Sequence, residues 1–511
     1  MKKKIFHNGC IYSMASPEDI YSGMAVCNGK IVAMFNGDPP FDEYFEYEKL
    51  DLNGNVVFPG FIDSHVHLTQ TGLNAIGVPL NNVKSIVEMT SAISKSRFAE
   101  YFDRIIFGTG YDDTLMKDQK LPSLPALDEI VNDKYLWLSR VDSHSCLVNS
   151  KFLEYLNLDA DINGIDVDGN GMPTGVLRAE ANSIARKAAL DLVSDKARRD
   201  GITHAIDNAV EMGVTSIHAL EGGPLFSDMD FHFIREYSKS SPIHIEPHFQ
   251  VMDVKAAEKY NLNRLGGCII LDGSFGSRTA ALFEPYSDDA SSSGTLYIDS
   301  DELEKFVVEA AERDIQVAFH ALGERAIEQV LNAYQKAYDL FPDKQLRHRI
   351  EHFELPLQKH IDKASKMGVI ISVQPAFDYH WGGESSLYYE RLGQQRALRA
   401  IPLKSILDSG CMMIGGSDSD VTSINPLVGI HGAVNHSNKS QAIQVYDAIR
   451  MFTYNGAYAI GKENEIGSLE PTKHANFVVL NMDLMNVPSD QIDSVEVLAT
   501  YCQGEQVYSK A

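Results

Sequence analysis

FPGFIDSHVHL, residues 58–68, places two histidines, His65 and His67, one residue apart at the end of an apolar run that follows a Pro-Gly break. In a β-strand, residues i and i+2 point to the same face. The two imidazoles therefore project side by side, and Val66 turns the other way. Two neutral imidazoles on one face can grip one metal ion. Taken alone, the stretch fits an exposed strand end with two chance histidines equally well, so the rest of the chain has to supply further ligands.

Working outward, the same pattern recurs. TSIHAL (215–220), GCIILDGS (267–274), IQVAFHALG (315–323), RHRIEH (347–352), VIISVQP (369–375) and MMIGGSD (412–418) each read as an apolar strand ending in a polar residue, and several are followed by a helix-length pattern such as ERAIEQVLNAYQKAY. Strands alternating with helices imply parallel βαβ units. With FIDSHVH as the first, this many strand candidates suit a (β/α)8 barrel with insertions better than an open sheet. In a barrel the carboxyl ends of all strands converge on one face, which brings His65, His67, His218, Asp272, His320, His352, Gln374 and Asp418 towards a common site.

The two ends of the chain have a different style. Short β-type runs are broken by Asn8-Gly9 and Asn28-Gly29 near the N-terminus, and HANFVVLNMD and VEVLATYC, the latter closed by Gly504, lie near the C-terminus. Asn-Gly between strand-like runs is a hairpin signal. The expected organisation is a composite β-sandwich from 1–57 and 466–511, and a barrel over 58–465 carrying an inserted α+β lobe at about 80–200. Within that lobe DVDGNG lacks the closing glutamate of a calcium loop and reads as a glycine-rich turn.

The 511 residues carry 70 acidic against 45 basic side chains, a formal net charge of -25. Such a surface repels nucleic acid and anionic membranes, is neutral towards small-molecule substrates, and leaves homo-oligomer formation open. The six cysteines show no CxxC spacing, the basic start has no apolar segment behind it, and no apolar run reaches membrane-spanning length; the expectation is a cytoplasmic protein with reduced thiols and no membrane partner.

Zinc takes nitrogen, oxygen or sulfur ligands and, in catalytic sites, keeps one position open. His65 and His67 can supply imidazoles to a first ion, Asp418 can complete that side, and His320 and His352 can hold a second. A bound divalent zinc lowers the pKa of its water to about 7, and Asp418 is placed to move a proton from that water to a leaving nitrogen.

FPGFIDSHVHL, VAFHALGERAIEQVL, RHRIEHFE and GGSDSDV together resemble the metal-dependent amidohydrolase superfamily, and GYDD (110–113), RVDSH (140–144), DGSFGSRTA (272–280) and GSLEPTKHAN (467–476) resemble its N-substituted formamide deformylase-like branch. The resemblance implies a distorted TIM barrel with a terminal β-sandwich, metal ligation by His65, His67, His320, His352 and Asp418, and hydrolysis of an amide-like, non-peptide C–N bond of a small molecule. The branch carries a bridging carbamylated lysine on strand 4, where this chain has Cys268. The thiolate can take over as a ligand, or Cys268 is a small buried hydrophobe and the site holds one ion. His144 is expected to reach the substrate carbonyl as a second catalytic group, and Tyr111, Asp112, His218 and Arg278 to line the substrate pocket, with a structural acid such as Glu284 as the other partner for Arg278. FDYHWGG, with His380 and Trp381, is expected as a loop. Two rival functions are a ring deaminase, disfavoured because Gly323 stands where that chemistry places a glutamate three residues after His320, and a barrel that has lost its activity.

Overall fold

The computed structural model describes residues 2–510 apart from 118–119, 142–144, 160 and 225. The chain divides into two compact units, one formed by Met1–Val66, Asp207–Leu220 and Ser240–Ala511, the other by His67–Ile206 and Glu221–Lys239.

The first unit contains the alternating strands. They are β1 (Phe61–Val66), β2 (Val214–Glu221), β3 (His244–Phe249), β4 (Arg264–Ile270), β5 (Gln316–Ala321), β6 (Arg349–His352), β7 (Ile370–Val373) and β8 (Met413–Gly415). They form a three-stranded sheet in the order β3-β2-β1 and a five-stranded sheet in the order β4-β5-β6-β7-β8. The pairs β1–β2, β4–β5, β5–β6, β6–β7 and β7–β8 are parallel. A parallel bridge between Val66 and Ser419 joins the first strand to the segment after the last, and the Cys268 backbone N–H donates to Gln250 Oε1 (2.8 Å), tying β4 to the end of β3. Every residue of β1, β6 and β7 is buried, as expected of parallel strands covered on both faces.

Helices Ser300–Glu312, Glu324–Leu340 and Gln358–Lys366 alternate with β4 to β7. The second buries Ile327, Val330, Leu331, Tyr334 and Ala337, an i, i+3, i+4 stripe that packs one face inward. Asp299 starts the first by accepting from the N–H groups of Asp301 and Glu302 (2.9 and 3.3 Å), satisfying two of the donors every helix start leaves open.

Strand β3 escaped the sequence reading. Its sequence, HIEPHF, carries Pro247, which removes a ladder donor and demotes a strand assignment. His380 and Trp381 close the helix Pro375–Trp381 rather than lying in a loop; Pro375 sits at its first turn, where the missing N–H costs nothing.

Both chain ends contribute to two further sheets. One orders Lys30–Phe35, Gly23–Cys27, Lys3–His7 and Glu48–Asp51, and the other Glu505–Ser509, Val497–Cys502, Phe477–Leu480, Val56–Pro59, Cys10–Tyr12 and Ile20–Tyr21. Phe6, Met24 and Val26 of the first share a core with Ile11, Val57, Phe477 and Val479 of the second. Phe6 meets the rings of Phe477 and Tyr501 edge-on at 4.9 and 5.3 Å. Asn28-Gly29 forms the expected two-residue hairpin, both residues at positive φ. Asn8-Gly9 does not: strand Lys3–His7 pairs in one sheet and Cys10–Tyr12 in the other. Gly9 N–H bonds to Ser22 and Cys10 N–H to Asn55, so the turn passes the chain between sheets.

The second unit has a six-stranded sheet with its own core, including Met89, Ile93, Phe102, Leu136, Trp137 and Phe152. The glycine-rich run is the turn of a hairpin between Ile165–Val167 and Pro173–Arg178. Asp168 Oδ1 accepts from the N–H groups of Asn170 and Met172 (2.8 and 2.9 Å), which commits that oxygen to the turn. Among the described residues, no helix is long and apolar enough to cross a membrane.

Candidate metal centre

Strand β1 delivers His65, fully buried, between two carboxylates. Its Nδ1 lies 2.8 Å from Glu351 Oε2 and its Nε2 lies 3.1 Å from Asp418 Oδ1. Asp418 follows β8 with φ at +52°, and its backbone N–H donates to the His65 carbonyl (2.9 Å). Gly416 permits this approach, because a Cβ there would stand 2.6 Å from the Cβ of His65. Burial pulls the imidazole towards neutrality, but the charge of Asp418, with hydrogen bonds to Asp418, Cys268 and Glu351, holds its pKa well above the ordinary range.

Strands β4, β5 and β6 bring Cys268, His320 and His352 together. Cys268 Sγ lies 3.3 Å from His320 Nδ1 and 3.8 Å from His352 Nε2. The other nitrogen of each ring is committed: His320 Nε2 donates to the Gly273 carbonyl (3.3 Å), and His352 Nδ1 donates to Gln374 Oε1 (2.8 Å). Burial pushes the Cys268 thiol up, yet the positive charge of His320 and hydrogen bonds from His320, His352 and His65 bring it well below its ordinary value. His320 rises to about 9: burial lowers it, and the charge of Cys268 overrides that. His352 and Phe353 both sit at positive φ (74° and 51°), an unusual backbone for a histidine and a phenylalanine, so the close of β6 is strained.

The ligand atoms of His65, Cys268 and His352 lie within 4.8 Å of one another. Two imidazoles and a thiolate suit a borderline-soft divalent ion such as zinc. The donor set therefore fits a metal.

The sequence reading missed Arg349 and Glu351 beside His65. Arg349 is fully buried. Its Nε donates to Glu351 Oε1 (2.8 Å), its Nη2 to Glu351 Oε2 (3.0 Å) and to the Ser64 carbonyl (2.9 Å), and its Nη1 to His218 Nδ1 (3.1 Å). Burial would raise the Glu351 carboxyl, but Arg349 and His65 hold it far below the usual carboxylate range. The available signal was R-x-E in a strand, two charges one pleat apart on one face.

His67 is buried in the second unit, its ring 4.8 Å from that of Phe226. His218 lies in the polar interior, with Nδ1 taken by Arg349 and its ring 5.8 Å from that of His248, rather than on an open pocket wall. Arg278 pairs with Asp288 through two bonds (3.1 and 2.7 Å), so its acid is Asp288 and not Glu284. Tyr111 is buried, and burial pushes its phenol up. Asp112 pairs with Arg140 at 3.2 Å. His144 and Asp142 lie outside the described residues. Asp272 is a cradle: it accepts from the N–H groups of Leu322, Gly323 and Ala281 (3.0, 2.9 and 2.7 Å), with burial pushing its carboxyl up to about 6.

The family model described as "Amidohydrolase family" matches residues 48–508. The chain belongs to the amidohydrolase family. Among relatives of this amidohydrolase, the YtcJ protein of Bacillus subtilis is 30% identical over 545 aligned residues, covering 100% of each chain. N-substituted formamide deformylase of Arthrobacter pascens is 24% identical, covering 91% of this chain and 90% of that one. A crystal structure described as an uncharacterized metal-dependent hydrolase from Pyrococcus horikoshii superposes with a TM-score of 0.81 at 26% identity, covering 96% of this chain and 99% of that one.

Proposed function

We propose that the protein is a metal-dependent hydrolase of a non-peptide, amide-like C–N bond in a small molecule. In this reading β1 to β8 form a distorted (β/α)8 barrel spanning 58–465 with an inserted lobe at about 80–200, and the two terminal sheets form a β-sandwich from 1–57 and 466–511. The observation that carries the proposal is the meeting of His65, Cys268, His320, His352 and Asp418 from strands far apart in the chain. The formamide deformylase likeness supports the choice of bond.

His65, His67, Cys268, His320, His352 and Asp418 would hold one or two divalent ions, zinc by the chemistry of the donors. Such an ion, when bound, supplies Lewis acidity and lowers the pKa of water to about 7. The protein's own groups do the rest. The Asp418 carboxylate accepts the proton of the attacking water and hands it to the leaving nitrogen. Cys268 brings negative charge to the cluster, the role filled elsewhere in the branch by a carbamylated lysine. His144 donates to the developing oxyanion, and Tyr111, Asp112, His218 and Arg278 act on substrate directly or by shaping its surroundings.

Glu324 favours amide hydrolysis over ring deamination. It is buried, bonded to Arg399 at 2.7 Å and accepting from Phe283 N–H at 3.4 Å, so it is not disposed to serve as a ring-protonating acid. The test is metal analysis of the purified protein together with turnover of a panel of N-substituted amides, formamides and aminopurines. Stoichiometric divalent metal and amide turnover are expected. A protein that takes up no metal when it is supplied, or that turns over only the aminopurines, overturns the reading.

A further inference from the structure

We propose that the buried Arg349–Glu351 pair is the positioning device of the metal centre: it keeps the proton of His65 on Nδ1 and thereby presents Nε2 as the ligand nitrogen. The proposal rests on the reading of the site as a metal centre and adds to it residues that touch neither ion nor substrate.

Both nitrogens of His65 face a carboxylate, Nδ1 that of Glu351 at 2.8 Å and Nε2 that of Asp418 at 3.1 Å, but Asp418 is itself a candidate ligand whereas Glu351 is locked to Arg349. Imidazole can ligate through either nitrogen, and the choice is set by the hydrogen bond the other nitrogen makes. At His65 that bond runs from Nδ1 to Glu351 Oε2 at 2.8 Å. Glu351 has no freedom to leave it. Oε1 is held by Arg349 Nε at 2.8 Å and Oε2 by Arg349 Nη2 at 3.0 Å, so the carboxylate cannot swing away to become a ligand itself. Arg349 is anchored in turn to the Ser64 carbonyl, on the strand that carries His65, and to His218 on β2. The guanidinium thus joins β1, β2 and β6 and places the carboxylate by a planar two-pronged contact that lysine cannot reproduce.

His352 provides the internal contrast. Its Nδ1 donates to a neutral partner, Gln374 Oε1, at 2.8 Å. Both rings therefore present Nε2, but only His65 is backed by a carboxylate, which makes it the stronger donor of the two. Such outer partners typically change metal affinity by about 10- to 100-fold when lost.

Removing Glu351 alone would leave Arg349 buried and unpaired, which destabilises proteins severely. The test therefore replaces the pair together. R349M/E351L removes both charges and the acceptor; R349M/E351Q removes the charges and restores an acceptor for Nδ1. Co(II) affinity by chelator competition, and the visible Co(II) spectrum, are read on folded protein. R349M/E351L is expected to bind Co(II) about 10- to 100-fold more weakly with an altered spectrum, and R349M/E351Q to recover much of the loss. Wild-type affinity and spectrum in R349M/E351L, or no recovery in R349M/E351Q, overturns the proposal while leaving the metal centre intact. Wild-type protein that takes up no Co(II) overturns the metal centre and this inference with it. On the wild type alone, ring nitrogen-15 spectra of the Zn(II)-loaded form should show the His65 proton on Nδ1; a proton on Nε2 overturns the proposal without recourse to variants.

Discussion

The core of the terminal sheets and the interior of the β1–β8 strands are both largely buried, yet they are filled in opposite ways. Phe6, Ile11, Met24, Val26, Val57, Phe477 and Val479 make the first purely apolar. The second buries His65, His218, His248, Arg349, Glu351 and His352. An apolar core tolerates each member losing a neighbour, at the cost of a cavity. A charged interior is stable only as a set, because each group left without its partner meets the full desolvation penalty. The first region serves packing alone. The second trades packing simplicity for groups that can ligate, orient and move protons.

Four experiments sharpen or break that contrast. Asp418→Asn should lower kcat by about 10²- to 10⁴-fold with the fold retained, since it removes the proton acceptor and a ligand charge; near-normal kcat would take Asp418 out of the chemistry. Cys268→Ala removes a ligand rather than an outer partner, so metal content and turnover should both fall steeply, by more than the about 10- to 100-fold typical of an outer partner. Unchanged metal content would assign the thiol to packing. Phe477→Ala should cost about 3–4 kcal/mol of stability, read by denaturant unfolding, with activity per folded molecule unchanged; a selective loss of activity would show that the two regions are not functionally separate.

The polar interior should also be the acid-sensitive one. Burial lowers His248 from 6.5 to about 3. Between those values the unfolded ring binds a proton and the folded ring does not, so stability rises with pH across this window and is lost as pH falls through it. At about pH 4 the loss from this group is about 3 kcal/mol, and His248→Phe should flatten the profile of unfolding free energy against pH. A profile equally steep in the variant would remove His248 as the cause.

Much of this was readable from the chain because period and chemistry coincide locally. The i, i+2 spacing of His65 and His67, the apolar runs ending in His320 and His352, and the helical stripe after His320 are all short-range patterns. The misses have local causes too. Pro247 disguised β3, and Asn8-Gly9 signalled a turn without saying which strands would pair across it, since partner choice depends on segments such as Asn55 and Ser22 far along the chain. Arg349 and Glu351 read as ordinary charges in a strand; only their simultaneous burial against His65 and His218 marks them as part of the centre.

The amino-acid sequence by itself determined the strand–helix alternation, the turn positions and the inventory of candidate ligands, because backbone propensity and side-chain periodicity act over a few residues. Tertiary structure alone decided which of those ligands meet, that Cys268 faces two imidazoles, that His218 is bound to Arg349, and that Arg278 is spent on Asp288. Those outcomes depend on charges from distant strands being forced into a shared, largely buried space, where each must find a partner or remain unsolvated.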